Sequence, residues 1–322
     1  MKLKLLSRDS SGLLNTLSLI SSSRKFVVLR FTPTMLVVIS VSDGSVSQEP
    51  QIWCKLKMQS LFEQVELVSI NDNTISLELN CELLLQTLRH FERANSDGLN
   101  LRLQRKPDGG DDHGAKSRAA SLALFYSHVN DNGNSINHTF KIPVKILKSN
   151  HESMVLKEPE LPTVDLIMPL PKEFVSTYKR LDKFRRTSNN EIVTIKCTRR
   201  GGGFLGFLLV EEGKYKVTIS LNEKLDIRKP PASESQEDSL VNTAMFDVRD
   251  PNDYVDEQDE NEDKTIHVRL RDWKMASKIV ASCKVVILLL VDREVCVLHC
   301  LLDDSESVEI IYYISGIRSR DD

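Results

Sequence analysis

The sequence predicts an α+β protein built from two tandem copies of one domain, each laying helices on one face of antiparallel sheets. Three observations carry this reading. The chain has 322 residues, 40% of them hydrophobic, enough for two ordinary cores. A strand–helix–strand order recurs: KLKLL, a helix and KFVVLRF are echoed by VDLIM, a helix and EIVTIKC, while TISLEL, a helix and LNLRL are echoed by TIHVRL, a helix and KVVILLL. Helices in both halves carry an apolar stripe on one side and cations on another.

In the first half, Lys2 to Ser7 alternates as a strand does. Gly12 to Ser22 reads as a helix with Leu13, Leu17 and Ile20 on one side, and its other side is Ser and Asn. Arg24 and Lys25 follow at its end, where cations suit the helix dipole. Phe26 to Phe31 and Met35 to Val41 are strands around Thr32-Pro33, Ser42 to Gln51 is a polar loop, and Ile52 to Lys57 is a strand. Thr74 to Leu79 puts Ile75, Leu77 and Leu79 on one face and leads into a helix over Asn80 to Ala94. There Leu84, Leu88 and Phe91 form the buried stripe, and Gln86, Arg89 and Arg93 face away. Leu99 to Leu103, Ala119 to Ser127 and His138 to Leu147 are strands; PDGGDDHGAK is a loop, and Asp131-Asn-Gly turns the last hairpin. Residues 1–147 make the first domain, and Lys148 to Pro162, aperiodic and ending in two prolines, is the linker.

The second domain, 163–322, opens with a strand at Val164 to Met168 and a helix over Pro171 to Arg186, with Pro171 in its first turn. Phe174, Tyr178 and Leu181 make its apolar stripe; Lys172, Ser176, Lys179, Lys183 and Arg186 make a cationic one. Strands at Glu191 to Thr198, Phe204 to Val210 and Lys214 to Leu221 follow. Thr265 to Leu270 feeds a helix over Arg271 to Cys283, with Trp273, Ala276, Val280 and Cys283 inward and Arg271, Lys274 and Lys278 on another side. Lys284 to Val291, Glu294 to Leu302 and Glu309 to Ile314 close the chain as strands. Helices that are apolar toward a sheet and basic toward something else suggest a surface directed at phosphate.

The formal net charge of −3 hides this asymmetry. Residues 230–263 hold twelve Asp/Glu and one Lys/Arg; setting them aside leaves 42 basic and 34 acidic residues, a balance of +8. The segment's composition cannot bury enough apolar surface to order itself, so disorder is expected there. MKLKLLSRDS lacks a signal-peptide core, and the apolar run Val285 to Val291 is far short of a membrane span. The six cysteines form no C-x-x-C pair, as expected of buried thiols in a reducing, intracellular compartment.

Catalytic and cofactor motifs fail on inspection. Gly201-Gly-Gly-Phe-Leu-Gly206 matches G-x-G-x-x-G, but a strand rather than a helix follows, so a hairpin is expected instead of a dinucleotide site. Cys296, His299 and Cys300 lie on a strand, where His299 points away from the two thiols and no second ligand pair is suitably spaced for zinc. No G-x-S-x-G and no H-E-x-x-H occurs. The expectation is a protein with no cofactor, no metal and no catalytic residues.

Two such domains joined by an extended linker resemble a sliding-clamp subunit of the PCNA-like superfamily. KLKLL, IWCKL, TISLELNCELLLQTLRHFERA, HTFKIPVKIL, EPELP, IHVRLRDWKMASKIVASCKVVILLL, CVLHCLL and IIYYISG resemble more narrowly the Mec-three/Hus-one type subunit of the 9-1-1 DNA-damage checkpoint clamp, in its fungal form. The resemblance covers most of the chain outside two polar loops and the acidic insert at 230–263. It implies a nuclear, non-enzymatic subunit of a heterotrimeric ring. Its partners would be two other clamp subunits, a clamp loader, double-stranded DNA with recessed ends, and checkpoint kinase machinery; no membrane is involved. It also implies that helices line the hole and that subunits join by edge strands. Lys172, Lys179, Lys183, Arg186, Arg271, Lys274, Lys278, Arg89, Arg93, Arg24 and Lys25 would then face DNA. His138, Phe140, Ile142, Val144 and Ile146 would meet one neighbour, and Tyr215, Val217 and Ile219 the other. The competing reading is a stand-alone nucleic-acid-binding accessory factor or enzyme using the same basic helices.

Overall fold

The structure, a computed structural model, describes residues 1–40, 49–94, 96–105, 120–130, 132–147, 156–161, 163–185, 192–199, 203–211, 215–221, 225–228, 263–303 and 307–317. Two compact units divide the chain. The first contains β1 (Lys2–Ser7), α1 (Ser11–Ile20), β2 (Phe26–Phe31), β3 (Met35–Ser40), β4 (Gln51–Lys57), α2 (Met58–Leu61), β5 (Gln64–Val68), β6 (Ile75–Asn80), α3 (Cys81–Ala94), β7 (Leu99–Arg105), β8 (Ala120–Val129) and β9 (Ser135–Ile146). Its strands run β4-β3-β2-β6-β9-β8-β7-β1-β5, and every pair of neighbours in that order is antiparallel.

The second unit contains β10 (Leu166–Pro169), α4 (Phe174–Arg185), β11 (Ile192–Thr198), β12 (Phe204–Glu211), β13 (Tyr215–Leu221), β14 (Lys264–Arg269), α5 (Leu270–Ser282), β15 (Val285–Val291), β16 (Val295–Leu301) and most of β17 (Val308–Ser315). Its strands run β13-β12-β11-β14 in one sheet and β10-β15-β16-β17 in order elsewhere.

The pairing makes the repeat concrete. β2 sits between β3 and β6 as β11 sits between β12 and β14. β1 pairs β7 as β10 pairs β15. β4 and β13 are the counterparts that follow on from β3 and β12. Sequence patterning finds this order because each strand–helix unit keeps its apolar period in both copies.

Local chemistry explains the helix starts. Asn80 ends β6, and its Oδ1 accepts the N–H of Glu82 at 3.0 Å, so it caps α3 from outside the helix. Asp9 does the same for α1, with Oδ1 2.8 Å from the Ser11 N–H. α4 begins at Phe174 and not at Pro171. The preceding residues make tighter turns, with N–H groups of Phe174, Val175 and Ser176 donating three residues back to Pro171, Lys172 and Glu173.

Two elements escape the sequence reading, which leaves residues 58–73 unassigned. α2 is a single turn, and β5 exposes four of its five residues, so neither carries an apolar period. β5 is held by its ladder to β1 and by Glu66, which pairs with Lys2 and Lys4. Those contacts raise the Lys2 pKa and lower that of Glu66, in each case chiefly through their shared hydrogen bond.

The glycine motif is a hairpin connection. Thr198 pairs with Phe204, and Gly203 holds φ +89° with Leu225 O only 2.4 Å from where a Cβ would stand. A strand follows, so the dinucleotide reading is excluded on geometry. Gly133, at φ +75°, turns the β8–β9 hairpin, and its N–H donates to Asn130 O at 2.9 Å.

All six cysteines are buried, and none forms a disulfide. Burial pushes the Cys197 thiol up to about 12, and burial followed by the nearby Glu82 charge does the same for Cys81. Cys296 is raised well above the ordinary thiol value, again by burial first. Protonated thiols are poor metal ligands and poor nucleophiles. Cys81, Cys197 and Cys296 should therefore react with a thiol reagent at pH 8 only as the chain unfolds; fast labelling of any of these three without urea would contradict the packing. The raised pKa values also carry a sign. Above pH 9 the unfolded chain releases thiol protons that the folded chain retains, so stability falls between about pH 9 and 12.

Candidate nucleic-acid interface

The second unit builds its basic surface on an aromatic cluster. Phe174 of α4, Phe207 of β12 and Trp273 of α5 are each no more than 1% exposed. Their rings meet pairwise: Phe174–Trp273 at 5.2 Å, Phe207–Trp273 at 5.6 Å and Phe174–Phe207 at 5.8 Å between centroids. Tyr178 and Leu181 continue the buried stripe of α4; Ala276, Ile279 and Val280 continue that of α5. The two helices pack directly on one another. Their outward sides are thereby set by the packing of their inward ones.

Lys179 and Lys183 of α4, and Lys274 and Lys278 of α5, are exposed. Among the described residues none of the four is in an ion pair. Lys172 is exposed in the turn before α4. Arg271 is exposed, but its Nε lies 3.6 Å from Asp272 Oδ1, so part of its charge is met locally. Arg186 lies outside the described residues. Arg180, exposed beside Lys179, is a cation that the sequence reading missed, because it falls off the three- and four-residue spacing of the cationic stripe.

The helix pair of the first unit is different. α1 and α3 pack together, and the Cys81 thiol reaches Leu17 O at 3.8 Å. Leu84, Leu88 and Phe91 are buried, while Gln86, Arg89 and Arg93 are exposed. Arg24 is half-buried; Lys25 is exposed, with its Nζ 5.6 Å from the Phe26 ring centroid. α3 balances Arg89 and Arg93 against Glu82 and Glu92, and α1 carries no charge. α4 sets Lys179, Arg180 and Lys183 against one carboxylate, Asp182, and α5 sets three cations against Asp272. The positive charge is concentrated on the helix pair of the second unit.

The strands singled out for subunit contact differ in how much edge they leave free. β13 pairs with β12 on one side, and among the described residues no strand takes its other side. Tyr215, Val217 and Ile219 are half-buried on the face toward α4, where the Tyr215 ring lies 6.0 Å from that of Phe184. β9 corrects the expectation in part. Val144 and Ile146 are paired on their far side by Leu79 and Leu77 of β6, so their backbone is not free. Among the described residues the open edge of β9 is residues 135–143, which pair only with β8.

His138 and Phe140 are half-buried there and Ile142 is buried. Their face carries a ladder of rings: Tyr126–His138 at 4.7 Å, His128–His138 at 5.0 Å and His90–Phe140 at 6.0 Å. The two imidazoles approach at 3.1 Å between His128 Nδ1 and His138 Nε2, the distance of one shared hydrogen bond. Pro143 is exposed, as proline on an unpaired edge must be.

Among the described residues no group of three or more His, Cys, Asp or Glu could hold a metal ion. Cys296 and Cys300 are fully buried and His299 nearly so, because β16 is covered on both faces.

Duplicated α+β units with packed helix pairs define the fold of DNA sliding clamps. A solved structure of Proliferating Cellular Nuclear Antigen from Entamoeba histolytica shares it with a TM-score of 0.60 over 98% of this chain and 99% of that one, at 14% identity. The Hus1-like protein family model matches residues 1–318, and the chain belongs to that family. Curated relatives span it nearly end to end. It is 27% identical to the DNA damage checkpoint control protein MEC3 of Eremothecium gossypii, over 98% of this chain and 99% of the relative. It is 23% identical to the protein of that name in Saccharomyces cerevisiae, with the same coverage, and 25% identical to checkpoint protein hus1 of Schizosaccharomyces pombe, over 90% of each.

Proposed function

We propose that this chain is a non-catalytic subunit of a heterotrimeric checkpoint clamp that encircles DNA in the nucleus. In this reading a clamp loader places the ring at recessed ends near damage, and the loaded ring engages checkpoint kinase machinery. The family membership supports the role. The observation that carries the mechanism is the basic helix pair of the second unit, built on Phe174, Phe207 and Trp273. Lysines of that kind contact phosphate and carry no sequence information, which is what a sliding ring requires.

In this reading the clamp domains are 1–147 and 163–322, joined through 148–162. The acidic insert 230–263, Asp263 apart, falls outside the described residues. The open edges of β9 and β13 are the contacts to the two neighbouring subunits, because unpaired edges are sticky and a closed ring removes them.

Replacing both Val217 and Ile219 by proline tests this assembly. The variant is expected to stay folded and monomeric by thermal melt and sedimentation, and to lose one partner while keeping the other. Ring formation by the double variant would exclude β13 as a subunit contact.

A further inference from the structure

The sheet of the first unit has a second charged face, turned away from its helices. β1, β7, β8 and β9 are neighbours there, and none of the four contains Asp or Glu. Phe91 of α3 meets Tyr126 at 5.5 Å between ring centroids, which fixes the helix side of β8. Ala123 and Phe125 therefore point to the other side. One row on that outer side reads Glu66, Lys4, Arg102, Ala123 and Lys141 across β5, β1, β7, β8 and β9, each directly opposite the next. The borders of the face are neutralised. Glu66 pairs with Lys2 and Lys4 at one side, and Glu78 of β6 takes Lys145 at 3.2 Å at the other. Between them Arg102 and Lys141 are exposed, and neither has an ion-pair partner among the described residues. The residue that separates them, Ala123, is buried and short. The Arg102 guanidinium carbon stands 5.7 Å from the Phe125 ring centroid. Stacking of that kind steadies the guanidinium plane and leaves its N–H edge free to donate in pairs.

We propose that Arg102 and Lys141 form an anion site for a phosphorylated serine or threonine in an acidic segment of a partner protein. Two strands of separation put their backbones about 10 Å apart, and each side chain is long enough to cover half that gap. Both charges can then close on one group above Ala123. A phosphomonoester carries nearly two negative charges and three strong acceptor oxygens, so it can take the Arg102 fork and the Lys141 ammonium together. A carboxylate offers one charge and two oxygens. Lys4 lies directly opposite Arg102, and like charges so placed cost a sheet stability. An incoming anion relieves that repulsion, and the Lys4 charge, shared with Glu66, serves a carboxylate beside the phosphoryl group only weakly. Two free cations between neutralised borders are too few for duplex DNA, whose affinity grows with the number of phosphates met. The site goes beyond the clamp reading and does not depend on it, since α4 and α5 take no part.

The probe is a short fluorescein-labelled peptide with one central phosphoserine, a glutamate two residues to either side, and glycine and alanine elsewhere. It is titrated onto the full chain at about 150 mM salt, where only close charges still attract. Saturable binding is expected, weakened roughly tenfold by Arg102→Ala and by Lys141→Ala. Arg102→Lys keeps the charge but not the fork, and should lose most of the same affinity. Serine in place of phosphoserine should abolish binding, and glutamate there should weaken it roughly tenfold. Lys145→Ala, and Lys179→Ala with Lys183→Ala, should leave it unchanged. Every substituted side chain is exposed, so the variants should melt with the unmodified chain. No binding by the unmodified chain, equal binding of the serine or glutamate peptide, or full affinity in both alanine variants would each overturn the proposal. So would an equal loss on changing Lys179 and Lys183. A loss of duplex DNA binding in the Arg102 and Lys141 variants as large as that of the peptide would show a nucleic-acid surface instead.

Discussion

Replacing Lys179, Lys183, Lys274 and Lys278 together by alanine is expected to weaken DNA binding by the assembled ring by roughly 10²- to 10³-fold near physiological salt. Each phosphate neutralised by a lysine releases condensed counterions, so each lost contact flattens the slope of log K against log salt by about 0.9. Four contacts then change the slope by about 3.6 and leave little difference near 1 M salt, where counterion release no longer drives binding. The chain itself should be almost unaffected. All four side chains are exposed, and exposed substitutions usually move stability by less than about 0.5 kcal/mol. The matched change at Arg89 and Arg93 should do much less, because α3 already balances them with Glu82 and Glu92. Titration of the ring with duplex DNA at several salt concentrations checks this. An unchanged slope would mean that α4 and α5 do not meet phosphate.

Trp273→Ala should cost about 3–5 kcal/mol of stability, the range for deleting a large buried aromatic. Its ring is 1% exposed and touches Phe174 and Phe207, so its removal leaves a cavity under both α4 and α5. A loss of that size is a large fraction of the 5–15 kcal/mol that holds a typical domain together. Trp273→Phe is the informative control. The indole N–H is buried and has no acceptor among the described residues. Phenylalanine keeps most of the apolar surface and removes that unpaired donor, so the cost should fall to about 1 kcal/mol. Urea unfolding of the three proteins measures both differences. Equal losses for the alanine and phenylalanine variants would mean that the indole N–H is satisfied and the ring packing secondary.

These two expectations separate surface from scaffold. The lysine substitutions are expected to act on ligand binding and leave the fold intact. The tryptophan acts on the fold and, through it, on where the lysines point.

The apolar stripes were legible because they are periodic. Phe174, Tyr178 and Leu181, like Trp273, Ala276 and Val280, are buried where their spacing places them. The cations opposite follow from the same geometry, since a helix cannot bury both sides at once. Arg180 was missed because a stripe spaced by three and four residues leaves out the immediate neighbour of Lys179. The start of α4 was misplaced by three residues because proline suits the first helical turn and a tighter lead-in turn equally well. β5 was invisible because its stability comes from a ladder to β1 and the Glu66 ion pairs, neither of which has a periodic signature.

By itself, then, the amino-acid order determined the duplicated strand–helix plan, the inward and outward sides of each helix, and the family. Those depend on local periods of 3.6 and 2 residues and on the run of matched segments. Which strand edges are open was decided only by the tertiary structure. Pro143 in SINHTFKIPVKI is compatible with an open edge up to that residue, but nothing in the string says that β6 takes Val144 to Ile146 and leaves 135–143 uncovered. Pairing is a long-range choice between strands some 65 residues apart, made by the packing of whole sheets, and no local pattern encodes it.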